Sequence, residues 1–118
     1  MIKVDYKNSN VQKYCESFKL TQKDIGPQLA KKLSQRLDEL RSFNTVYELL
    51  NCGIDNPHML VGDLGGCIGW DLSATVRLIL RICDDFTEKT NEEIKTMTNV
   101  VVEGVRDYHD RNKKWLIN

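Results

Sequence analysis

Residues 76–83, which read VRLILRIC, carry the clearest secondary-structure pattern in the chain. Successive side chains of a β-strand point to opposite faces, so this alternation predicts a strand with one wholly apolar face. The other face carries Arg77 and Arg81, with their Cα atoms about 13 Å apart. Two arginines in such a strand fit two interpretations: they bind phosphate, or they pair with carboxylates on neighbouring strands, for which Asp71 and Glu103 are candidates.

Three further segments, before and after residues 76–83 in the chain, have the pattern of strands. Residues 67–72 place Ile68 and Trp70 on one face, residues 100–105 are rich in β-branched side chains, and residues 2–6 alternate apolar with polar. The polar residues 84–99 predict a long turn between two of these strands.

The N-terminal third predicts two helices. One begins near Val11, and a second carries an apolar stripe at helical spacing that runs from Ile25 to Leu40. Thr21 resembles the first residue of a capping box, and Pro27 suits the first turn of a helix better than its interior. Lysines and Arg36 are expected on the polar side of the second helix.

Two shorter elements complete the pattern. Residues 45–50 predict a short helix with Asn44 as its N-cap, and residues 110–118 predict a last helical turn held by Trp115 and Leu116. The order is β-α-α-(α)-β-β-β, which indicates one α+β domain over residues 1–118, with a helical hairpin packed on a small, mainly antiparallel sheet.

Charge is unevenly distributed along the chain. The 17 Lys and Arg residues balance the 17 Asp and Glu residues, but residues 1–41 have a net charge of +4, residues 42–118 a net charge of −4, and residues 42–76 contain no Lys or Arg. Clustered cations supply most of the affinity for nucleic-acid phosphates. Few residues of this chain could therefore form a nucleic-acid-binding surface. They are Arg77 and Arg81, the helix residues Lys31, Lys32 and Arg36, and the tail residues Arg111, Lys113 and Lys114. A solvated helix face and a polar tail are the alternative interpretation.

The remaining sequence signals favour a cytoplasmic protein without a metal or organic cofactor. No apolar run approaches the roughly 20 residues of a membrane span, and the charged residues near Met1 do not suit a signal peptide. The four cysteines include no C-x-x-C pair, so we expect reduced thiols. Cys67, after two glycines, is the best candidate nucleophile, but no nucleophile motif surrounds it and a core thiol is the better interpretation. No metal-ligand spacing, P-loop or dinucleotide motif is present.

Two histidines and a tyrosine complete the set of candidate catalytic residues. Tyr108 and His109 follow the last predicted strand, where functional side chains are commonly placed, and His58 follows a loop proline. Packing or capping roles are the alternative for all three.

Four segments together resemble the RelE/ParE toxin superfamily, with the HigB-like plasmid-maintenance killer proteins as the most similar group. They are 58–64 (HMLVGDL), 66–72 (GCIGWDL), 76–79 (VRLI) and 102–109 (VEGVRDYH), and they occur in the family's order and spacing. The opening residues 1–7 and the helical hairpin are also similar, so the resemblance covers nearly the whole chain.

The resemblance implies a toxin of a type II toxin–antitoxin system, held inactive by a cognate antitoxin protein. It implies a ribosome-dependent endoribonuclease that cuts mRNA and blocks translation, with the ribosome and mRNA as partners. Arg77 corresponds to the family's catalytic arginine, and Tyr108 and His109 to the C-terminal pair implicated in proton transfer and substrate stacking. His58 corresponds to the histidine before the family's Leu-Lys-Gly-Asp motif, and Arg81 is expected to make a secondary phosphate contact.

The chain departs from the family in the motif that follows His58. Val61 stands where the family usually has lysine, and Met59, Leu64 and Gly65 stand where it often has cations. Two hypotheses follow. The chain is a nuclease toxin that relies on Arg77, Tyr108, His109 and its basic helices, or it is a non-nucleolytic protein of the same fold that inhibits gyrase or only binds an antitoxin.

Overall fold

The computed structural model describes residues 1–109 and 111–118 as a layer of helices packed on a six-stranded sheet. The helices are α1 Ser9–Glu16, α2 Phe18–Ile25, α3 Pro27–Ser42, α4 Val46–Leu50 and α5 Asn91–Thr96. The strands are β1 Lys3–Tyr6, β2 His58–Met59, β3 Cys67–Asp71, β4 Val76–Arg81, β5 Asn99–Asp107 and β6 Trp115–Ile117. Short 3₁₀ turns span Gly62–Leu64 and Phe86–Glu88.

The sheet has the order β1-β5-β4-β3-β2, and β6 also pairs with β5. The β1–β5 pair is parallel, and the other pairs are antiparallel. The predicted α+β class and mainly antiparallel sheet are therefore confirmed.

The core lies between one face of the sheet and the helices. Trp70, Leu78 and Leu80 from the central strands are fully buried and belong to the same apolar cluster as Leu33 and Leu37 of α3. The alternation predicted for residues 76–83 is confirmed over β4. We call the opposite side of the sheet the polar face and define it by the side chains of Asp71, Arg77, Arg81, Glu103 and Arg106.

Helix boundaries differ from the predictions at two places. Thr21 does not begin a helix: it lies inside α2, which starts after the cap Ser17, and its hydroxyl donates to the carbonyl oxygen of Tyr14. Gly26, at φ +89°, ends α2, and Pro27 then opens α3, as its fixed φ predicts. The N-cap of α4 is Thr45, one residue after the predicted Asn44, because the Thr45 side chain accepts from the backbone N–H of Glu48.

Two predictions for the C-terminal half are wrong. Residues 84–99 contain helix α5, which begins with a complete capping box of Thr90 and Glu93. The tail forms strand β6 and not a helical turn, because β5 offers it a hydrogen-bonding edge beyond the end of β1. Short segments of this kind take their conformation from tertiary contacts more than from local pattern.

In the described part of the chain, no helix combines the length and apolar character that crossing a membrane requires.

Candidate functional site

Arg77 lies at the centre of the polar face, held from two sides. Its Nε donates to Oδ1 of Asp71, directly opposite on β3, at 3.2 Å. Its guanidinium carbon lies 4.7 Å from the centre of the Tyr108 ring, within the range of a cation–π contact. Both the Arg77 and the Asp71 side chains are 31% exposed, so the arginine is oriented but accessible to a ligand.

Tyr108 is placed by the end of β5 and by the β3–β4 turn. Its backbone N–H donates to the carbonyl oxygen of Thr75 at 2.6 Å, which fixes the chain where it leaves the sheet. Arg77 and Arg106 both approach its ring, at 4.7 and 5.6 Å. The structure thus brings together the predicted residues Arg77 and Tyr108.

His109 forms a dyad with Asp107. Its Nδ1 lies 2.7 Å from one carboxylate oxygen, and its backbone N–H donates to the other at 2.9 Å. The backbone N–H first, and the ring second, stabilise the ionised carboxylate and lower the pKa of Asp107. The contact of Nδ1 with the carboxylate fixes the orientation of the imidazole ring. Sequence reasoning missed Asp107, although its position two residues before His109 permits this local turn.

Arg106 and Trp115 are functional candidates that sequence reasoning also missed. The Arg106 side chain is 13% exposed, and its guanidinium lies 5.6 Å from the Tyr108 ring and 5.1 Å from the Trp115 ring. Its Nε donates to the carbonyl oxygen of Lys113. The available signal was the strand period, which places residue 106 beside Arg77; the structure pairs the two across β4 and β5.

Two of the three guanidinium nitrogens of Arg81 have partners within the protein. Its Nε donates to Glu103 at 2.5 Å, and one terminal nitrogen reaches the carbonyl oxygens of Gly65, Cys83 and Asp84 at 3.1–3.5 Å. These contacts join β4, β5 and two loops. A phosphate that contacts these two nitrogens would have to displace internal partners, so the predicted secondary phosphate contact is restricted to the other terminal nitrogen of this 28% exposed side chain.

His58 lies on the edge strand, on the face that carries Arg77 but two strands away from it. The register pairs His58 with Gly69 and Gly69 with Ile79. Its Nδ1 lies 2.8 Å from the carbonyl oxygen of Asn56, to which it donates. The structure therefore does not join His58 to the Arg77–Tyr108 contact.

Of the three helix cations, Arg36 does not lie on the surface. It is 4% exposed, pairs with Asp55 and Glu39, and its guanidinium lies 5.5 Å from the Trp70 ring. Residue 36 follows Leu33 by three positions, so it shares the helix face that packs on the sheet. The expectation that Arg36 binds RNA on an exposed face is wrong for this reason.

Lys31 and Lys32 are exposed and line a groove of about 690 Å³ between α3 and the β3–β4 turn. Thr75 lines the other side of this groove, and its carbonyl oxygen holds Tyr108. Lys32 also lies 3.9 Å from Asp55, so of the two lysines it is partly offset by a carboxylate.

Carboxylates offset the cations of the polar face. Arg77 pairs with Asp71 and Arg81 with Glu103, as one of the two interpretations of the sequence predicts, and Asp63 lies 3.7 Å from Arg106. The local field is therefore much weaker than three arginines alone would create.

Cys67 is fully buried, and burial raises the pKa of its thiol to about 11. We expect the thiol to be protonated at neutral pH and Cys67 to be alkylated by iodoacetamide at pH 8 roughly a hundredfold more slowly in native than in unfolded protein. Mass spectrometry of the labelled peptide measures this. Rapid native labelling would contradict the assignment of Cys67 as a core thiol.

Metal-ligating side chains do not cluster in the described structure. No three His, Cys, Asp or Glu side chains converge in a metal-binding group among residues 1–109 and 111–118.

Comparison with known proteins places this geometry on a recognised fold. No protein-family profile and no curated protein sequence matches the chain. The YoeB–YefM complex from Staphylococcus aureus matches with a TM-score of 0.53 and 15% identity, over 93% of this chain and 99% of that chain, and a heterotetrameric YoeB–YefM toxin–antitoxin complex from the same organism gives the same values. A YoeB/ParE toxin from Agrobacterium tumefaciens matches with a TM-score of 0.55 and 14% identity, over 92% of this chain and 100% of that chain. At these identities the likeness concerns the fold, and the chain has the fold of YoeB/ParE-type toxins.

Proposed function

We propose that this chain is the toxin of a toxin–antitoxin pair and that it cleaves mRNA on the ribosome. The observation that carries the proposal is the contact of Arg77 with Tyr108 on the polar face, and the Asp107–His109 dyad directly flanks Tyr108 in the chain. The fold supports it, since two of the similar structures are toxins in complex with the antitoxin YefM. A cognate antitoxin, the ribosome and mRNA are the proposed partners, and the HigB-like group remains the proposed subtype.

The proposed chemistry is a transesterification within the RNA. The ribose 2′-oxygen forms a bond to the adjacent phosphorus, and the bond from phosphorus to the 5′-oxygen breaks. His109, oriented by Asp107, accepts the 2′-hydroxyl proton, and a proton must reach the 5′-oxygen as it leaves. Arg77 stabilises the charge that develops on the phosphoryl oxygens, and Tyr108 supplies a ring on which a base can stack.

Induced expression in a bacterial host tests this proposal. We expect growth arrest and new mRNA 5′ ends that fall in a fixed position within the reading frame, because cleavage occurs in the decoding site. Co-expression of a small protein encoded beside this chain is expected to restore growth. Arrest without new 5′ ends would refute the nuclease, and normal growth with folded protein present would refute the toxin.

The carboxylates of the polar face favour a second candidate, a protein of the same fold that acts without cleavage. Asp71, Glu103 and Asp63 reduce the attraction for RNA phosphates, and residues 42–76 contribute no cation. Such a protein would bind gyrase or only an antitoxin. Growth arrest with DNA damage and intact mRNA is the outcome that selects the gyrase target.

Asp71→Asn tests by the sign of its effect whether Asp71 moderates the charge of Arg77 or orients it in the proposed nuclease. The amide preserves the shape of the side chain and removes a charge 3.2 Å from Arg77. If Arg77 binds a phosphate, its affinity should rise, and we expect cleavage to increase about fivefold, equivalent to ~1 kcal/mol for a partly exposed pair. Quantitative mapping of 5′ ends at equal protein levels measures this.

Asp38→Asn is the matched control for Asp71→Asn, because Asp38 is an exposed carboxylate beside Arg41 of α3. We expect it to leave cleavage unchanged. Lower cleavage in Asp71→Asn would mean that the carboxylate is needed to orient Arg77 rather than to moderate its charge.

A further inference from the structure

Five side chains form an alternating row of cations and aromatic rings across the polar face. In order they are Arg77, Tyr108, Arg106, Trp115 and Lys7, which we call the ladder. The successive cation-to-ring distances are 4.7, 5.6, 5.1 and 5.9 Å. The ladder starts at the proposed phosphate site and ends beside β1, so it crosses β4, β5 and β6.

A glycine places Trp115 in the ladder. A Cβ added at Gly104 would lie 3.2 Å from Cε3 of Trp115 and would overlap the carbonyl oxygen of Ile117. Gly104 has φ +151° and faces Ile79 beside the bulge between β4 and β5. The absence of a side chain there lets β6 and the indole ring approach the sheet, while Trp115 stays partly exposed.

Further cations precede Trp115 in the chain. Arg111, Lys113 and Lys114 are exposed, and none of them forms an ion pair within residues 1–109 and 111–118. The backbone carbonyl oxygens of Lys113 and Lys114 accept hydrogen bonds from Arg106 and from β5, which fixes these two residues beside the ladder. Unlike the arginines of β4, these side chains are available to an external anion.

We propose that Trp115, with Lys113 and Lys114, binds single-stranded RNA next to the Arg77–Tyr108 site, with an unpaired base stacked on Trp115 in place of Lys7, the outer and more exposed of the two cations over the indole ring. This inference rests on the proposed function and extends it to the strand that flanks the cleaved phosphate. Aromatic rings interleaved with cations are the chemistry that holds unpaired nucleotides, because every base has a face that can stack and every nucleotide carries a phosphate. The ladder offers both kinds of group in alternation.

Intrinsic fluorescence tests the stacking directly, because the chain has two tryptophans and Trp70 is fully buried. The probe is a short 2′-O-methyl oligouridylate, which cannot be cleaved by attack of a 2′-hydroxyl. Titration into the full chain at low salt is expected to quench the Trp115 emission in a saturable way. Trp115→Leu should lose the quenching and bind a fluorescein-labelled form of the same RNA roughly tenfold more weakly, whereas Trp115→Phe should retain most of the affinity.

Tyr47→Leu is the matched control, since Tyr47 is an exposed ring on α4 with Lys95 5.4 Å from its centre, outside the ladder. We expect it to bind RNA like the unmodified protein. If Trp115→Leu keeps its melting temperature and binds RNA with unchanged affinity, the ladder side chains contact only one another and the proposal is wrong. Cleavage that needs Arg77 but not Trp115 would also overturn the proposal and would leave the proposed function intact. If RNA binding depends on Trp115 but no mRNA is cleaved in cells, the proposed nuclease function would be wrong and the proposed RNA-binding site would stand.

Discussion

Arg77→Ala is expected to reduce mRNA cleavage by two to three orders of magnitude. Removing one preorganised group that stabilises developing charge typically has an effect of about 10²–10³ on rate. Arg77 lies over the ring of Tyr108 and beside Asp71 in a partly exposed position, so its loss also leaves Asp71 as an unopposed negative charge beside the proposed phosphate site. Both effects act in the same direction.

The effect on stability should be small in comparison. The Arg77 ion pair is about one-third exposed, and such pairs contribute ~0–1 kcal/mol to the free energy of unfolding. We expect a melting temperature within a few degrees of the unmodified protein, measured by circular dichroism. Cleavage is measured by mapping 5′ ends after induction, at matched protein levels.

Arg41→Ala serves as a control for loss of one surface positive charge. Arg41 lies on α3, is 42% exposed and donates to the hydroxyl of Tyr6, so we expect it to retain nearly full cleavage. Undiminished cleavage by Arg77→Ala would exclude Arg77 from the chemistry and make the second candidate function the better one.

The parts of the fold with strong periodicity were predictable, and the parts set by tertiary contacts were not. The alternation in β4 and the apolar stripe each report burial over many residues, which is why the first prediction is confirmed and the second is confirmed over α3. Ile25, the first residue of the predicted stripe, lies in α2 instead. Strand β6 has three residues and takes its conformation from β5. The break between α2 and α3 depends on one glycine followed by proline. Thr21, which lies inside α2, offered an equally strong sequence signal for a helix start at a different position.

For the candidate site, the sequence identified the relevant side chains better than it identified their contacts and burial. It named Arg77 and Tyr108, which meet, and it also named Asp71 and Glu103 as possible partners of the two strand arginines. It could not assign Arg36, because a charged residue beside an apolar stripe is normally solvated. The ladder depends on the position of β6, so Trp115 could not be linked to Tyr108 before the tail was placed.

Arg81→Ala is expected to destabilise the fold, in contrast to Arg77→Ala. Arg81 donates to Glu103 and to three backbone carbonyl oxygens that belong to two loops. The side chains of Arg81 and Glu103 are 28% and 13% exposed, so solvent replaces these contacts only in part. We expect a loss of ~2–3 kcal/mol in the free energy of unfolding, since hydrogen bonds to charged groups contribute more than neutral ones and Glu103 keeps only Lys7, at 3.9 Å, as a partner.

Thermal unfolding measures this effect as a fall in melting temperature of roughly 10 °C for a chain of this length. Arg81→Lys keeps the charge but cannot reach four acceptors at once, so it should recover only part of the loss. Glu103→Gln and the double variant complete a cycle that isolates the Arg81–Glu103 coupling. Cleavage per folded molecule, measured well below the melting temperature, should stay within a few-fold of the unmodified protein. An unchanged melting temperature with a hundredfold loss of cleavage would contradict this prediction. That result would identify Arg81 as a phosphate contact, because a group that acts on the substrate affects the rate without affecting stability.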